Sequence, residues 1–271
     1  MIVVVLFVLF FLGMPIAFSI ITTVAGYLIV TDARPLILVA QRCYAGLDSV
    51  ACLAVPLFTL AGYLMEKGGI SKRLVDWVGM LLGGIRGSLG IVAVVTCTIF
   101  AALTGSGPAT VCAIGGILYL PMVQSGYPEK MANGLIAAGG SLGPIIPPSI
   151  IMILYATEAN VNVSDMFKAG IIPGILVGLM LMAACKFMFM RGEKAPPATK
   201  FSWKRLGVSL KDGVLAIIAP AIILMGMFSG SFSPTEAGIV AVVYSTVVGM
   251  IYKELKLKDI PRIIKESAIA A

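Results

Sequence analysis

Two interruptions inside long apolar runs constrain this chain more than any other feature. The first reads Leu103-Thr104-Gly105-Ser106-Gly107-Pro108-Ala109-Thr110, within the run Ser88 to Val123. The second reads Gly139-Gly140-Ser141-Leu142-Gly143-Pro144-Ile145-Ile146-Pro147-Pro148-Ser149, within Glu129 to Ala156. Glycine and proline break or kink helices, the one through backbone freedom and the other through a missing N–H. In hydrocarbon a broken helix strands N–H and C=O groups at a cost of several kcal/mol each. Such breaks survive only where protein buries them or where they line a polar cavity. The expectation is that these two breaks meet.

Composition sets the solvent. Of 271 residues, 59% are hydrophobic and 12% charged, which defines an all-α polytopic membrane protein with no separate soluble domain. The net charge of +7 sits in short loops between apolar runs, a pattern of membrane orientation and not of nucleic-acid binding. Cys43, Cys52, Cys97, Cys112 and Cys185 lack the paired spacing of a metal site and read as small packing residues. The absence of histidine removes His-based acid–base chemistry, His–metal sites and any Ser–His pair. Met1 to Val30 does not read as a cleavable signal, having no basic start and too long an apolar run.

Taken in order, Ile2 to Val30 is long enough to span, with a kink at Gly13-Met14-Pro15. Thr31 to Val50, with Asp32, Arg34, Arg42 and Asp48, reads as interfacial or partly inserted. Ala51 to Met65 is a short span ending at Glu66-Lys67-Gly68-Gly69. Ser71 to Gly83 is amphipathic and lies along the surface, with Ser71 as N-cap. Ser88 to Val123 is a re-entrant hairpin of two half-length helices, or else two spans joined by a tight turn. Met166 to Met190 is a span kinked at Pro173-Gly174. Lys186, Arg191, Lys194, Lys200, Lys204, Arg205 and Lys211 then surround Ala195-Pro196-Pro197. Gly213 to Phe228 and Ala237 to Tyr252 are apolar, and Lys253, Lys256, Lys258, Arg262 and Lys265 follow.

The basic clusters at 191–211 and 253–265 belong in the cytoplasm. The turn at 229–236 and the loop at 158–165 then fall outside. The scheme closes only if 88–123 enters and leaves on one side, with its mouth inside near Lys72, Arg73, Arg86 and Lys130.

At the breaks, freed carbonyls and half-helix ends are ready ligands for an ion or an anion, and together they would form half of a transport site. The competing reading is a packing groove, since small residues in membrane helices also serve close contact. Glu236, in Pro234-Thr235-Glu236, is the acid nearest a span's external start. A helix N-terminus favours a carboxylate there, so a structural role is the first expectation and ion or substrate handling the second.

The motifs also resemble a family. Leu103 to Thr110 is similar to the first hairpin tip of the large membrane subunit of tripartite ATP-independent periplasmic (TRAP) transporters. Pro56-Leu57-Phe58, Met65-Glu66-Lys67-Gly68-Gly69-Ile70, Pro121-Met122 and Gly126-Tyr127 resemble the same subunit. Leu142 to Ser149 is similar to the family's most recognisable stretch, and Phe232-Ser233-Pro234-Thr235-Glu236-Ala237 resembles its Thr-Pro-Thr-Glu-Ala pattern. The order of motifs is kept along the whole chain.

The resemblance implies an elevator-type inverted-repeat transporter fold with a re-entrant helical hairpin and broken helices. It implies a sodium-coupled secondary permease of the bacterial inner membrane. The implied partners are a small membrane subunit, a periplasmic solute-binding protein and a carboxylate solute, C4-dicarboxylate or sialic-acid-like. No cofactor is implied beyond Na+ as coupling ion. By position, Thr104, Gly105, Ser106, Gly107 and Pro108 would form the tip, and Gly140, Ser141, Gly143 and Pro144 the unwound helix facing it. Sodium, a hard ion, would take backbone carbonyls near Gly105, Gly140 and Gly143 with the Ser106 or Ser141 hydroxyls. Pro147, Pro148, Thr235 and Glu236 are secondary candidates. The implied organisation is scaffold and arm helices over 1–87 and a first transport repeat over 88–190, made of hairpin 88–125, broken helix 129–156 and span 165–190. A basic cytoplasmic linker follows at 191–211, then the start of a second repeat at 212–271 that is expected to be incomplete.

An intramembrane enzyme is disfavoured by the missing histidine, the lack of paired Asp residues within spans and the lack of a Gly-x-Ser-x-Gly elbow. A channel, without a visible charge ring or filter repeat, and a non-transporting scaffold stay open as alternatives.

Overall fold

The computed structural model describes residues 2–48, 52–83, 88–190 and 203–271, and every regular element among them is helical. The chain divides into two units, Met1–Val50 and Ala51–Ala271.

The first unit holds α1 (Ile2–Phe11), α2 (Ile16–Thr31) and α3 (Ile37–Leu47). The kink expected at Gly13-Met14-Pro15 is a complete break. Gly13 adopts φ +80°. Its N–H donates to the Phe10 carbonyl at 2.9 Å, and the Met14 N–H to the Leu9 carbonyl at 3.1 Å. This is a Schellman stop, and Pro15 then serves as N-cap of α2. A glycine able to turn left-handed two residues before a proline ends one helix and starts the next, so a single long span becomes helices of 10 and 16 residues.

The second unit begins with α4 (Ala54–Lys67) and α5 (Ile70–Leu82). Gly69, at φ +73°, is the N-cap of α5, and not Ser71 as the sequence reading has it. The Gly68-Gly69 pair supplies the left-handed residue needed to restart the chain. Ser71 falls inside the helix, buried, with its hydroxyl donating to the Met65 carbonyl at 3.4 Å. Next come α6 (Ser88–Thr104), α7 (Gly107–Gln124), α8 (Glu129–Gly140), α9 (Ile150–Glu158) and the 28-residue α10 (Val163–Met190), which carries Pro173 within it. The unit ends with α11 (Trp203–Phe228), α12 (Pro234–Ile251), a short 3-10 turn (Leu257–Asp259) and α13 (Ile260–Ala270). Helix α11 starts at Trp203, so positions 204, 205 and 211 of the expected linker fall on helix. Arg86, Arg191, Lys194, Lys200 and the Ala195-Pro196-Pro197 segment lie outside the described residues.

Three described helical stretches are long and apolar enough to cross a membrane: Gly107–Gln124, Val163–Phe187 and Pro234–Ile251. The core gathers around α6, which packs against α4, α5, α7, α8, α10 and α11. Phe58, Met65, Phe100, Leu103, Ile114 and Phe167 are fully buried there. Helices α4 and α12 run close enough that Gly68 and Gly249 touch backbone to backbone. Arg73 of α5 stacks 3.8 Å over the Tyr252 ring and reaches Glu254 at 3.7 Å, tying α5 to the end of α12.

Helices α6 and α7 form a closed hairpin. At its foot the Gly90 N–H, one of the first-turn donors of α6 with no partner inside the helix, donates to the Tyr127 hydroxyl at 2.8 Å. Burial raises the Tyr127 pKa above the ordinary tyrosine range, so this hydroxyl stays protonated. Tyr127→Phe removes the acceptor and leaves a buried donor. It should cost about 1–2 kcal/mol, seen as a lower unfolding midpoint in detergent. An unchanged midpoint would mean that the clamp contributes nothing.

Candidate functional site

The first break is a short, internally bonded tip. Gly105 ends α6 at φ +61°, and its N–H donates to the Ala101 carbonyl at 2.8 Å. Ser106 is the N-cap of α7, and its hydroxyl accepts from the Ala109 N–H at 3.5 Å. Thr104 and Thr110, both fully buried, approach hydroxyl to hydroxyl at 3.2 Å. Thr110 donates to the Ser106 carbonyl at 2.8 Å, and the Ser106 N–H to the Thr104 hydroxyl at 3.4 Å. Small polar side chains therefore bind the tip to itself and spare it from a purely apolar surround.

The second break is the bend 141–149 between α8 and α9. Ser149 caps α9 by accepting from the Met152 N–H at 3.3 Å and donates to the Pro144 carbonyl at 2.7 Å. Pro147 and Pro148 are joined by a cis peptide bond and are buried. The Gly143 N–H donates to the Gly140 carbonyl at 3.0 Å.

The two breaks meet, as the sequence predicts, and they meet through main chain. The Ile150 N–H donates to the Gly105 carbonyl at 3.2 Å. A Cβ on Gly143 would lie 2.6 Å from both the Gly107 nitrogen and the Ser106 carbonyl carbon. A Cβ on Gly107 would lie 3.0 Å from the Gly140 carbonyl oxygen, and one on Gly105 2.5 Å from the Pro148 oxygen. At Gly143 and Gly105 another backbone occupies the place of the side chain, and at Gly107 the Gly140 carbonyl would have to give by a few tenths of an ångström.

A cleft of about 300 Å³ opens beside this contact. One wall is the tip, Gly105 to Ala109, with Cys112, Pro144, Ile150 and Ile151; another is α4, through Val55, Thr59, Gly62, Tyr63 and Glu66; and Ala270 and Ala271, at the end of α13, line it as well. The N-terminal ends of α7 and α9 both reach the cleft, and each carries partial positive charge that favours an anion. The C-terminal ends of α6 and α8 converge on the same junction, where their last carbonyls carry partial negative charge. Helix ends of opposite partial charge thus lie side by side. Glu66 brings a carboxylate to the α4 wall, 3.4 Å from Lys67.

Of the residues singled out in the sequence, Gly105, Ser106, Gly107, Pro108 and Pro144 line the cleft. Thr104, Gly140 and Gly143 sit in the contact behind it. Ser141 is exposed and donates to the Ala138 carbonyl at 2.7 Å; it does not line the cleft. Thr235 and Glu236 lie elsewhere, in the first turn of α12. There Glu236 accepts from the Ser233 N–H at 2.7 Å and Ser233 accepts from the Glu236 N–H at 3.3 Å, a capping box that gives the carboxylate a structural task. The α4 wall was missed in the sequence, although Val55, Thr59, Gly62 and Glu66 recur at helical spacing.

The fold and this junction define a class: an all-helical membrane protein built on discontinuous helices whose breaks meet at a cleft. The family model of the tripartite ATP-independent periplasmic transporter, DctM component, matches residues 3–271, and the chain belongs to that family. The C4-dicarboxylate TRAP transporter large permease protein DctM of Pseudomonas aeruginosa is 42% identical over 216 residues, covering 79% of this chain and 50% of that protein. Its namesake in Rhodobacter capsulatus is 33% identical over 276 residues, covering 94% of this chain and 61% of that protein. The sialic acid TRAP transporter large permease protein SiaM of Vibrio cholerae is 36% identical over 261 residues, with coverage of 96% and 61%. The chain thus spans between 50% and 61% of the length of these relatives.

Proposed function

We propose that this chain belongs to the membrane permease of a sodium-coupled transporter that imports a carboxylate-containing solute. The observation that carries the reading is the junction of two helix breaks, which sets the N-terminal ends of α7 and α9 on one cleft and the C-terminal ends of α6 and α8 at the contact behind it. Sodium would take carbonyl oxygen near Gly105, Gly140 and Gly143, since a carbonyl already accepting one hydrogen bond keeps a second lone pair. The solute carboxylate would face the N-termini of α7 and α9. The names of the relatives, C4-dicarboxylate and sialic acid permeases, are in keeping with an anionic solute.

The elevator arrangement, a re-entrant hairpin, a small membrane partner subunit, a periplasmic binding protein and a bacterial inner-membrane location belong to the same proposal. Re-entrance rests on where the tip lies and not on the length of its arms, since α7 by itself is long enough to cross. The tip of α6–α7 meets its neighbour where the 12-residue α8 ends, while α10 runs on for about 42 Å.

The test is Ser106→Ala in a complete subunit, reconstituted with its partner subunits. Loss of a cap worth about 1 kcal/mol at the cleft should lower sodium-driven uptake roughly fivefold. Membrane insertion should stay normal. Unchanged uptake and unchanged sodium dependence would remove the tip from the site.

A further inference from the structure

The first unit contains a second cavity that the transport reading does not use. A groove of about 400 Å³ runs between α2 and α3. Its floor is apolar, with Ile20, Val24 and Leu28 from α2 and Leu38 from α3, and both Arg34 and Arg42 line it. Val24 and Leu28 repeat at i, i+4 on α2, and Leu38 and Arg42 do so on α3, so each helix turns one face to the groove.

Two facts single out its occupant. The first is charge. Among the described residues neither guanidinium is ion-paired, and the acids nearest in sequence, Asp32 and Asp48, do not line the groove. Two unpaired cations at an apolar surface call for an anion attached to something apolar. The second is the surround. Outside the groove α2 exposes the apolar side chains of Phe18, Ile29 and Val30, a surface suited to hydrocarbon. A soluble anion has no reason to enter there.

We propose that the α2–α3 groove is a binding site for an anionic phospholipid. An acyl chain lies along Ile20, Val24 and Leu28. The headgroup phosphate is held by Arg34 and Arg42, whose planar guanidinium groups match phosphate oxygens in pairs. The lipid anchors helix α3 to α2 at a point where the described residues place no acid in the groove.

Native mass spectrometry of the full chain in detergent tests this, with dioleoyl phosphatidylglycerol as probe and dioleoyl phosphatidylcholine as neutral control. The glycerol lipid should be retained and the choline lipid much less so. The pair Arg34→Gln with Arg42→Gln should lower retention about tenfold. Val24→Trp, which fills the groove without touching a charge, should lower it to a similar degree, and circular dichroism checks that both variants keep their helix content. Equal retention in wild type and variants would overturn the site. Equal retention of both lipids would overturn the role of charge, and displacement by inorganic phosphate alone would assign the arginines to a soluble anion.

Discussion

In a complete subunit, Gly143→Leu should abolish sodium-driven uptake while leaving the protein in the membrane. A Cβ at this position would lie 2.6 Å from the Gly107 nitrogen, 2.6 Å from the Ser106 carbonyl carbon and 2.9 Å from the Gly107 Cα. All three are main-chain atoms, so no rotamer change relieves the clash. The tip and the bend must separate, and a leucine adds three more carbons to the gap. A displacement of about 1 Å in a positioned site can cost on the order of a hundredfold in rate. Insertion should survive, because the apolar content of α8 and α9 is untouched. Uptake into proteoliposomes, read beside alkaline extraction of the membranes, separates the two effects. Uptake within about threefold of wild type would show that the contact is not part of the working site.

The second large effect is expected at Gly105, and it falls on stability. The residue holds φ +61°, in the left-handed region that costs side-chain-bearing residues roughly 1–2 kcal/mol. A Cβ there would also lie 2.5 Å from the Pro148 oxygen and 3.1 Å from the Ser149 Cα. Valine, branched at that carbon, meets both penalties and pushes away the Ile150 N–H that bonds the Gly105 carbonyl. Gly105→Val should therefore destabilise the second unit by about 3 kcal/mol or more, and Gly105→Ala by less. Thermal unfolding in detergent gives the comparison. Equal midpoints for wild type, alanine and valine would show that the tip is not held in this conformation.

Much of the chain was legible because the punctuation is local. Gly105-Ser106-Gly107-Pro108 places a stop, a cap and a start within four residues, and the structure breaks there. Ser149 caps α9 beside Pro147-Pro148 for the same reason. Where two local signals competed, the sequence reading chose wrongly. Serine is a good N-cap, but Gly69 already held the left-handed turn, so Ser71 moved inside α5. Gly13 and Pro15 together are a stop and a start, and either alone is a kink. What could not be read is contact at long range. Tyr127 meets Gly90 across 37 positions, and nothing near either residue announces it. The α4 wall is similar: Thr59, Gly62 and Glu66 form a weakly polar stripe, and only the fold turns it toward the tip.

The difference between Gly140 and Gly143 governs how each could be repaired. A side chain on Gly140 would run first into the Val111 side chain, which a smaller residue at 111 relieves, leaving the Gly107 carbonyl oxygen at 3.2 Å to give by a few tenths of an ångström. A side chain on Gly143 would run into peptide groups of Ser106 and Gly107, which no substitution makes smaller. The first contact admits a compensating change in its neighbour; the second admits none nearby. Of two glycines three residues apart, one belongs to a pair that can drift together, and the other stands fixed by atoms that every amino acid shares.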